Sequence, residues 1–331
     1  MRDVARLAGV STSTVSAVLN ESVVVSPKRK ERVLAAMAAL DYQPDAIARS
    51  LKTGRSNAIG VIVPDITNTF YPEVIRGVEV AAQAAGYSVL LCDSSEDRAI
   101  EERHFSALFS RRVDGVILAC CIDSRANELV ARRNLPVVFI DRLPPSRAVN
   151  SVCTDNVAAG RLAAEHLIGL GHKRIGMLAG HLGLSPHHDR LEGFRKAMQE
   201  AHLPILDEYL IAGNVQVEDG VGAGRRLLGL STPPTAILAS NNKLLLGVLQ
   251  AVEEKNLSIP KDLSVLGFDD YLWNTHFSPG LTAVAQLTGE MGKRSFELLQ
   301  QLIQNTSSED AAPRHVLISA ELRIRNSTSR L

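Results

Sequence analysis

Apolar positions follow two rhythms along this chain. From Ile59 onward, short apolar runs alternate with longer stretches in which apolar residues recur three and four apart. The runs Ile59–Val63, Ser88–Cys92, Gly115–Cys120, Val137–Asp141, Arg174–Leu178, Ala236–Ser240 and Ser264–Phe268 read as strands. Runs this apolar suit strands covered on both faces, and their alternation with helices predicts parallel sheets. The alternation restarts near Asp155. Residues 56–331 are therefore expected to form two doubly wound α/β subdomains, with a ligand cleft off the carboxyl ends of the strands.

The first 55 residues keep only the helical rhythm. Asp3–Ala8 predicts a short helix with Val4, Ala5 and Leu7 as its apolar side. Gly9 stands where a left-handed turn costs least. Val10 can plug that turn, and Ser11 is a good cap for a second helix over Thr12–Leu19. Val15, Val18 and Leu19 should face inward, which leaves Thr12, Ser13, Ser16 and Ala17 outward. Such a face of small hydroxyls can lie in a major groove and touch base edges. Helix, glycine turn and helix in so few residues is the helix-turn-helix pattern. Ser26-Pro27 opens a third helix with Val33, Leu34, Met37 and Leu40 as its apolar side. Lys28, Arg29 and Lys30 then sit at the positive end of the helix dipole, unfavourable by roughly 0.3–1 kcal/mol each. A nearby phosphate would reverse that sign; a solvated basic turn is the alternative.

Charge sharpens this division. The net charge is zero, but residues 1–55 hold nine Lys/Arg against five Asp/Glu, leaving 27 against 31 in the remainder. A basic end on an acidic body suits an anionic partner at the N-terminus. The four cysteines lack metal-ligand spacing and read as small buried hydrophobes in a reducing cytosol. No apolar stretch approaches the roughly 20 residues of a membrane helix, and the N-terminus lacks the apolar core of a signal peptide. A cytoplasmic protein with no membrane partner, no cofactor and no metal is expected.

The segments DVARLAGVSTSTVSAVLN and VSPKRKERVLAAMAALDYQPDAIARSLKTGR resemble the head and hinge of the lac repressor and purine repressor family of bacterial transcriptional regulators. The resemblance continues through the core. It implies an all-α helix-turn-helix head (residues 1–45), a hinge (46–55) and an α/β effector-binding core (56–331) of the periplasmic-binding-protein type. It places Thr12, Ser13 and Ala17 where the family reads bases. Ser11, Thr14, Ser16, Asn20, Ser26 and Arg29 fall at or beside phosphate-facing sites. Ala46–Lys52 matches the segment that becomes helical on operator DNA, capped by Asp45, with Ala48, Leu51 and Lys52 toward the duplex. Leu51 matches the leucine that wedges into the minor groove. Ala17 stands where many members carry a long polar reader, so its readout is an apolar contact. Asp45 replaces a frequent asparagine. Relatives begin a few residues earlier with a capping threonine, which leads to the expectation of a trimmed or misassigned start.

Polar residues cluster at the predicted strand ends: Asp141 ends VVFID, Asn241 follows AILAS, and Asp269 ends VLGFD. Arg190 opens a helix at RLEGF. The resemblance puts all four on the effector pocket, with Phe70 and Tyr71 as its aromatic wall. Carboxylates with an Asn and an Arg suit a polyhydroxyl ligand, most simply a sugar or sugar derivative. The residues alone also allow Asp141 and Asp269 to cap helices or pair with Arg142, and Arg190 to brace the cleft. His187 and His188 read as loop residues, and Trp273 as a sugar-stacking, dimer or core residue. Val215, Asn242 and Leu287 depart from the family's usual residues and leave neutral sugar, sugar acid and purine all open.

An enzyme is disfavoured. GVGAG at 220–224 lacks the spacing of a nucleotide loop, and no G-x-S-x-G, H-E-x-x-H or CxxC motif occurs. A periplasmic-type solute-binding protein would share the core but not the head. One head reads few base pairs, so a homodimer on a near-palindromic double-stranded operator is expected. The C-terminal ELRIRNSTSRL has no leucine heptad, which favours a dimer over a tetramer. Residues 304–314 read as a surface loop.

Overall fold

The structure is a computed structural model that describes residues 1–20, 25–42, 55–133, 135–304 and 312–331. It divides into two units, Met1–Asn57 and Ala58–Leu331.

The first unit holds helices α1 (Arg2–Ala8), α2 (Thr12–Asn20) and α3 (Pro27–Ala39). Gly9 ends α1 in the left-handed conformation, φ 59°. A Cβ there would also collide with the Arg32 guanidinium. Arg32 donates to the carbonyls of Ala8 and of Gly9 (3.2 Å), a cation on the carbonyl end of α1. Ser11 Oγ accepts the Thr14 amide at 3.2 Å, the expected cap on α2. Ser26 precedes α3 as expected, but its hydroxyl makes no capping bond.

Val4, Ala5, Ala8, Val15, Val18, Val33 and Ala36 form the core of this unit, with Val10 and Leu19 partly buried against it. Three apolar assignments change: Leu7, Leu34 and Leu40 are 56%, 49% and 43% exposed. Adjacent helical residues lie about 100° apart, so burying Val33 and Ala36 turns Leu34 onto the flank. The inward positions go to alanines because three short helices must approach closely.

The second unit runs β1 (Ala58–Val63), α4 (Phe70–Ala84), β2 (Ser88–Asp93), α5 (Arg98–Ser110), β3 (Gly115–Leu118), α6 (Ala126–Ala131), β4 (Val137–Ile140) and β5 (Ser151–Thr154). It continues through α7 (Asn156–Gly169), β6 (Ile175–Gly180), α8 (Ser185–Glu200), β7 (Leu210–Ala212), α9 (Val217–Leu228), β8 (Ala236–Ala239), α10 (Asn242–Glu254) and β9 (Ser264–Phe268). It closes with α11 (Leu272–His276), β10 (Thr282–Ala285), α12 (Thr288–Gln304), β11 (His315–Ile318) and β12 (Glu321–Arg323). Strands order as β11-β5-β4-β3-β1-β2 and β12-β10-β9-β8-β6-β7. All pairs are parallel except the antiparallel β10–β12.

All seven predicted strands form, with ends moved by a residue or two. The additional strands, β5, β7, β10, β11 and β12, are short or half polar and carry too little periodicity to stand out. The restart at Asp155 is the first of three crossings. The chain also crosses back after Ala285 and again after Ile318, because α12 packs Met291, Phe296, Leu299 and Ile303 against Ile59 and Val61 of the first sheet. GVGAG lies inside α9, where a Cβ on Gly224 would stand 2.7 Å from Ala251 Cβ on α10. Gly220 and Gly224 serve helix packing, whereas Gly222 faces open space. Most of the expected 304–314 loop lies outside the described residues.

Candidate functional site

On the head, Ser11, Thr12 and Ser13 are exposed, and Thr14, Ser16 and Ala17 half-buried, around the start of α2. Ser11 Oγ lies 2.7 Å from Ser13 Oγ and 2.9 Å from Thr14 Oγ1, a knot of hydroxyls at the positive end of the helix. Asn20 ends α2. Ser26, Lys28 and Arg29 lie at the start of α3, all three exposed. Two helix N-termini with hydroxyls and cations can accept phosphate oxygens. Ala48, Leu51 and Lys52, with Asp45, lie outside the described residues.

In the core, Phe70, Tyr71, Asp141, Arg190, Asn241 and Asp269 line one cleft, joined by Asp65, Glu96, Arg142, His187, Lys243 and Gln286. Strands that are buried along their whole length deliver the polar residues at their carboxyl ends. Phe70 and Tyr71 meet edge to face, ring centres 5.1 Å apart. Tyr71 Oη donates to Asp141 Oδ2 at 3.0 Å. Gln286 Nε2 donates to Asp269 Oδ1 at 2.6 Å. Arg190, 3% exposed, donates from Nε to Asn156 Oδ1 at 2.8 Å and from Nη1 to the Ser240 carbonyl. Its guanidinium carbon lies 4.1 Å from the Phe268 ring centre. Asn241 also caps α10, where its Oδ1 accepts the Leu244 amide at 2.7 Å.

Burial pushes both Asp141 and Asp269 above the ordinary carboxyl range, against the pull of Arg142 and Arg190 on the first and of Arg190 on the second. His187 shares a 2.9 Å hydrogen bond with Ser240 Oγ. Burial and the neighbouring Arg190 and Arg142 hold its imidazole well below the ordinary value. Arg142 is claimed by Glu96, at 2.7 and 2.9 Å, and lies 3.9 Å from Asp141. Lys243 Nζ donates to Asp65 Oδ2 at 2.8 Å across the mouth of the cleft. Among the described residues, no cluster of His, Cys, Asp or Glu could hold a metal ion, and no helix is long and apolar enough to cross a membrane.

A model of the bacterial regulatory proteins of the lacI family matches residues 1–45, and one of a periplasmic binding protein-like domain matches residues 164–328. The chain is 36% identical over 311 residues to the HTH-type transcriptional repressor PurR of Photobacterium profundum, covering 93% of each. It is 37% identical over 301 residues to the ribose operon repressor of Escherichia coli (strain K12), covering 90% of this chain and 91% of that protein. The chain belongs to the lacI family. Among solved structures, this lacI-family chain superposes on the lac repressor dimer bound to operator and the anti-inducer ONPF with a TM-score of 0.87. The two are 29% identical, over 99% of this chain and 98% of that one. The protein is thus a DNA-binding transcriptional regulator with a periplasmic-binding-protein-like core.

Several predicted positions carry different surroundings from those read in the sequence. Arg190 sits in the second turn of α8, which starts at Ser185 rather than at Arg190. His187 lines the cleft, whereas exposed His188 lies 3.0 Å from Asp189. Of the three readings for Trp273 the core one fits: it packs against the core of the second half and between Tyr271 and Phe277, away from the cleft walls. The cleft pairs Glu96–Arg142 and Asp65–Lys243 and the cleft amide Gln286 escape a reading of the sequence, as does Asn156, which lies behind the wall and outside the lining. Their only signal is a polar residue beside a strand end.

Proposed function

We propose that this protein represses transcription as a homodimer on a near-palindromic operator, and that its core cleft takes an uncharged polyhydroxyl sugar. Thr12, Ser13 and Ala17 would meet base edges; Ser11, Thr14, Ser16, Asn20, Ser26 and Arg29 would meet or flank phosphates. Residues 46–55 would tether head (1–45) to core (56–331), with Leu51 in the minor groove and Ala48 and Lys52 toward the duplex. The work on DNA is cytoplasmic.

The observation that carries the ligand class is the charge balance of the cleft. Asp65 is matched by Lys243 and Glu96 by Arg142, which leaves Asp141 and Asp269 against Arg190. That remainder is negative. It repels an anionic ligand, while each carboxylate can accept from neighbouring hydroxyls of a sugar lying on the aromatic wall. The cavity between the walls is only about 40 Å³, so a sugar enters as the two halves part.

Titration calorimetry with D-ribose, D-glucose, D-galactose and cellobiose, against D-gluconate and hypoxanthine, tests the ligand class. Binding of a neutral sugar alone supports the reading; binding of gluconate or hypoxanthine in preference refutes it.

A further inference from the structure

The two halves of the core can rotate against one another only about the crossings after Thr154, Ala285 and Ile318. These crossings are tied together. Thr154 Oγ1 donates to Gln286 Oε1 at 2.7 Å, and the Asp155 amide donates to the Ile318 carbonyl at 2.9 Å.

The cleft reaches this knot through two side-chain amides. Gln286 lines the cleft and binds Asp269 directly. Asn156 stands behind the wall, 5% exposed. Its Oδ1 accepts from Arg190 Nε at 2.8 Å, and its Nδ2 donates to the Thr154 carbonyl at 3.2 Å. A carboxamide can accept from a cation on one side and donate to a carbonyl on the other; an aspartate does only the first, and an alanine neither. Burial makes both bonds costly to replace with solvent. Any change in where Arg190 rests is therefore passed to the first crossing.

We propose that Asn156 is the positioning residue that couples occupancy of the cleft to the angle between the halves, and so to DNA affinity. This rests on the cleft being the effector site. The full-length parent, Asn156→Ala and Asn156→Asp are titrated with the four neutral sugars named above. Each is also titrated with a duplex from the protein's own promoter, with and without the sugar that binds. The parent should show a factor of roughly 5–150 between the two operator affinities. Asn156→Asp should keep sugar affinity within about threefold, because Arg190 retains an acceptor, yet lose most of that factor. Asn156→Ala should weaken sugar binding about tenfold and lose the factor as well. A purely structural role would lower the melting temperature and leave the factor intact. A parental factor in Asn156→Asp, or loss of sugar binding in that variant, overturns the proposal.

If no sugar binds the parent, the ligand class falls, and hydrogen exchange decides the role of Asn156. Both variants should then exchange the Asp155 amide and the 285–290 segment about tenfold faster, with Ile59–Val63 and Ser264–Phe268 unchanged. Parental protection at the crossings overturns the proposal.

Discussion

Asp141 and Asp269 face the cleft from equivalent places in the two halves. Each follows the fourth strand of its sheet in the order β2-β1-β3-β4 and β7-β6-β8-β9. Each has a left-handed backbone, φ 57° and 71°, and each is nearly buried, at 7% and 6% exposure. Aspartate tolerates that conformation better than most residues. Both carboxylates also sit above their ordinary range because burial disfavours their charge. Each already accepts one side-chain hydrogen bond, Asp141 from Tyr71 and Asp269 from Gln286.

Asp269→Asn and Asp141→Asn should each weaken sugar binding about 10- to 100-fold, the worth of a charged hydrogen bond. Asparagine also accepts a left-handed φ, so the fold and the operator affinity of the free protein should stay within about twofold. Calorimetry and fluorescence anisotropy measure the two; undiminished sugar binding would remove these aspartates from the site.

Gly9→Ala should destabilise the head by roughly 1–2 kcal/mol or more, since the left-handed turn is strained for alanine and the Arg32 cap is displaced. Operator binding should fall while sugar binding is unchanged. Thermal unfolding of the isolated N-terminal fragment, compared with the full chain, measures the loss.

Arg29→Ala should weaken binding to all duplex sequences alike and reduce the slope of log affinity against log salt by about 1. Leu51→Ala should weaken the operator more than random duplex, because only a specific complex holds the kinked step open. Equal losses for Leu51→Ala would contradict a wedge role.

Acid should destabilise the core. His166, His172 and His187 are all held below their ordinary value of 6.5, chiefly by burial. Below about pH 6.5 the unfolded chain takes up protons that these folded imidazoles refuse, so stability falls as pH drops, by up to about 1.4 kcal/mol per pH unit for buried His187. Asp141 and Asp269 act in the opposite sense: their raised folded values make the folded state take up protons first, so their contribution grows as pH falls through those values and is complete below 3.8. Melting temperatures between pH 7.5 and 5.5 should therefore decline, and His187→Gln should flatten the decline. A flat parental profile would contradict the neutral buried imidazole.

Local order was open to reading from the residues. Strands buried on both faces need unbroken apolar runs, a helix start needs a hydroxyl and a glycine turn needs its glycine, so β1, β8, β9, Ser11 and Gly9 are visible one segment at a time. The strand ends carried Asp141, Asn241 and Asp269 for the same reason, since a parallel sheet must place its polar residues there. Tertiary structure alone decided which distant pieces close on one another. Leu34 and Leu40 look inward by period, but packing three short helices gave that place to Ala36. The return of α12 and β11 to the first sheet, the claim of Glu96 on Arg142 and the hold of Asn156 on Arg190 join residues 34 to about 240 positions apart. Such partnerships leave no periodic trace, because they are selected by shape and charge only after the chain has folded back on itself.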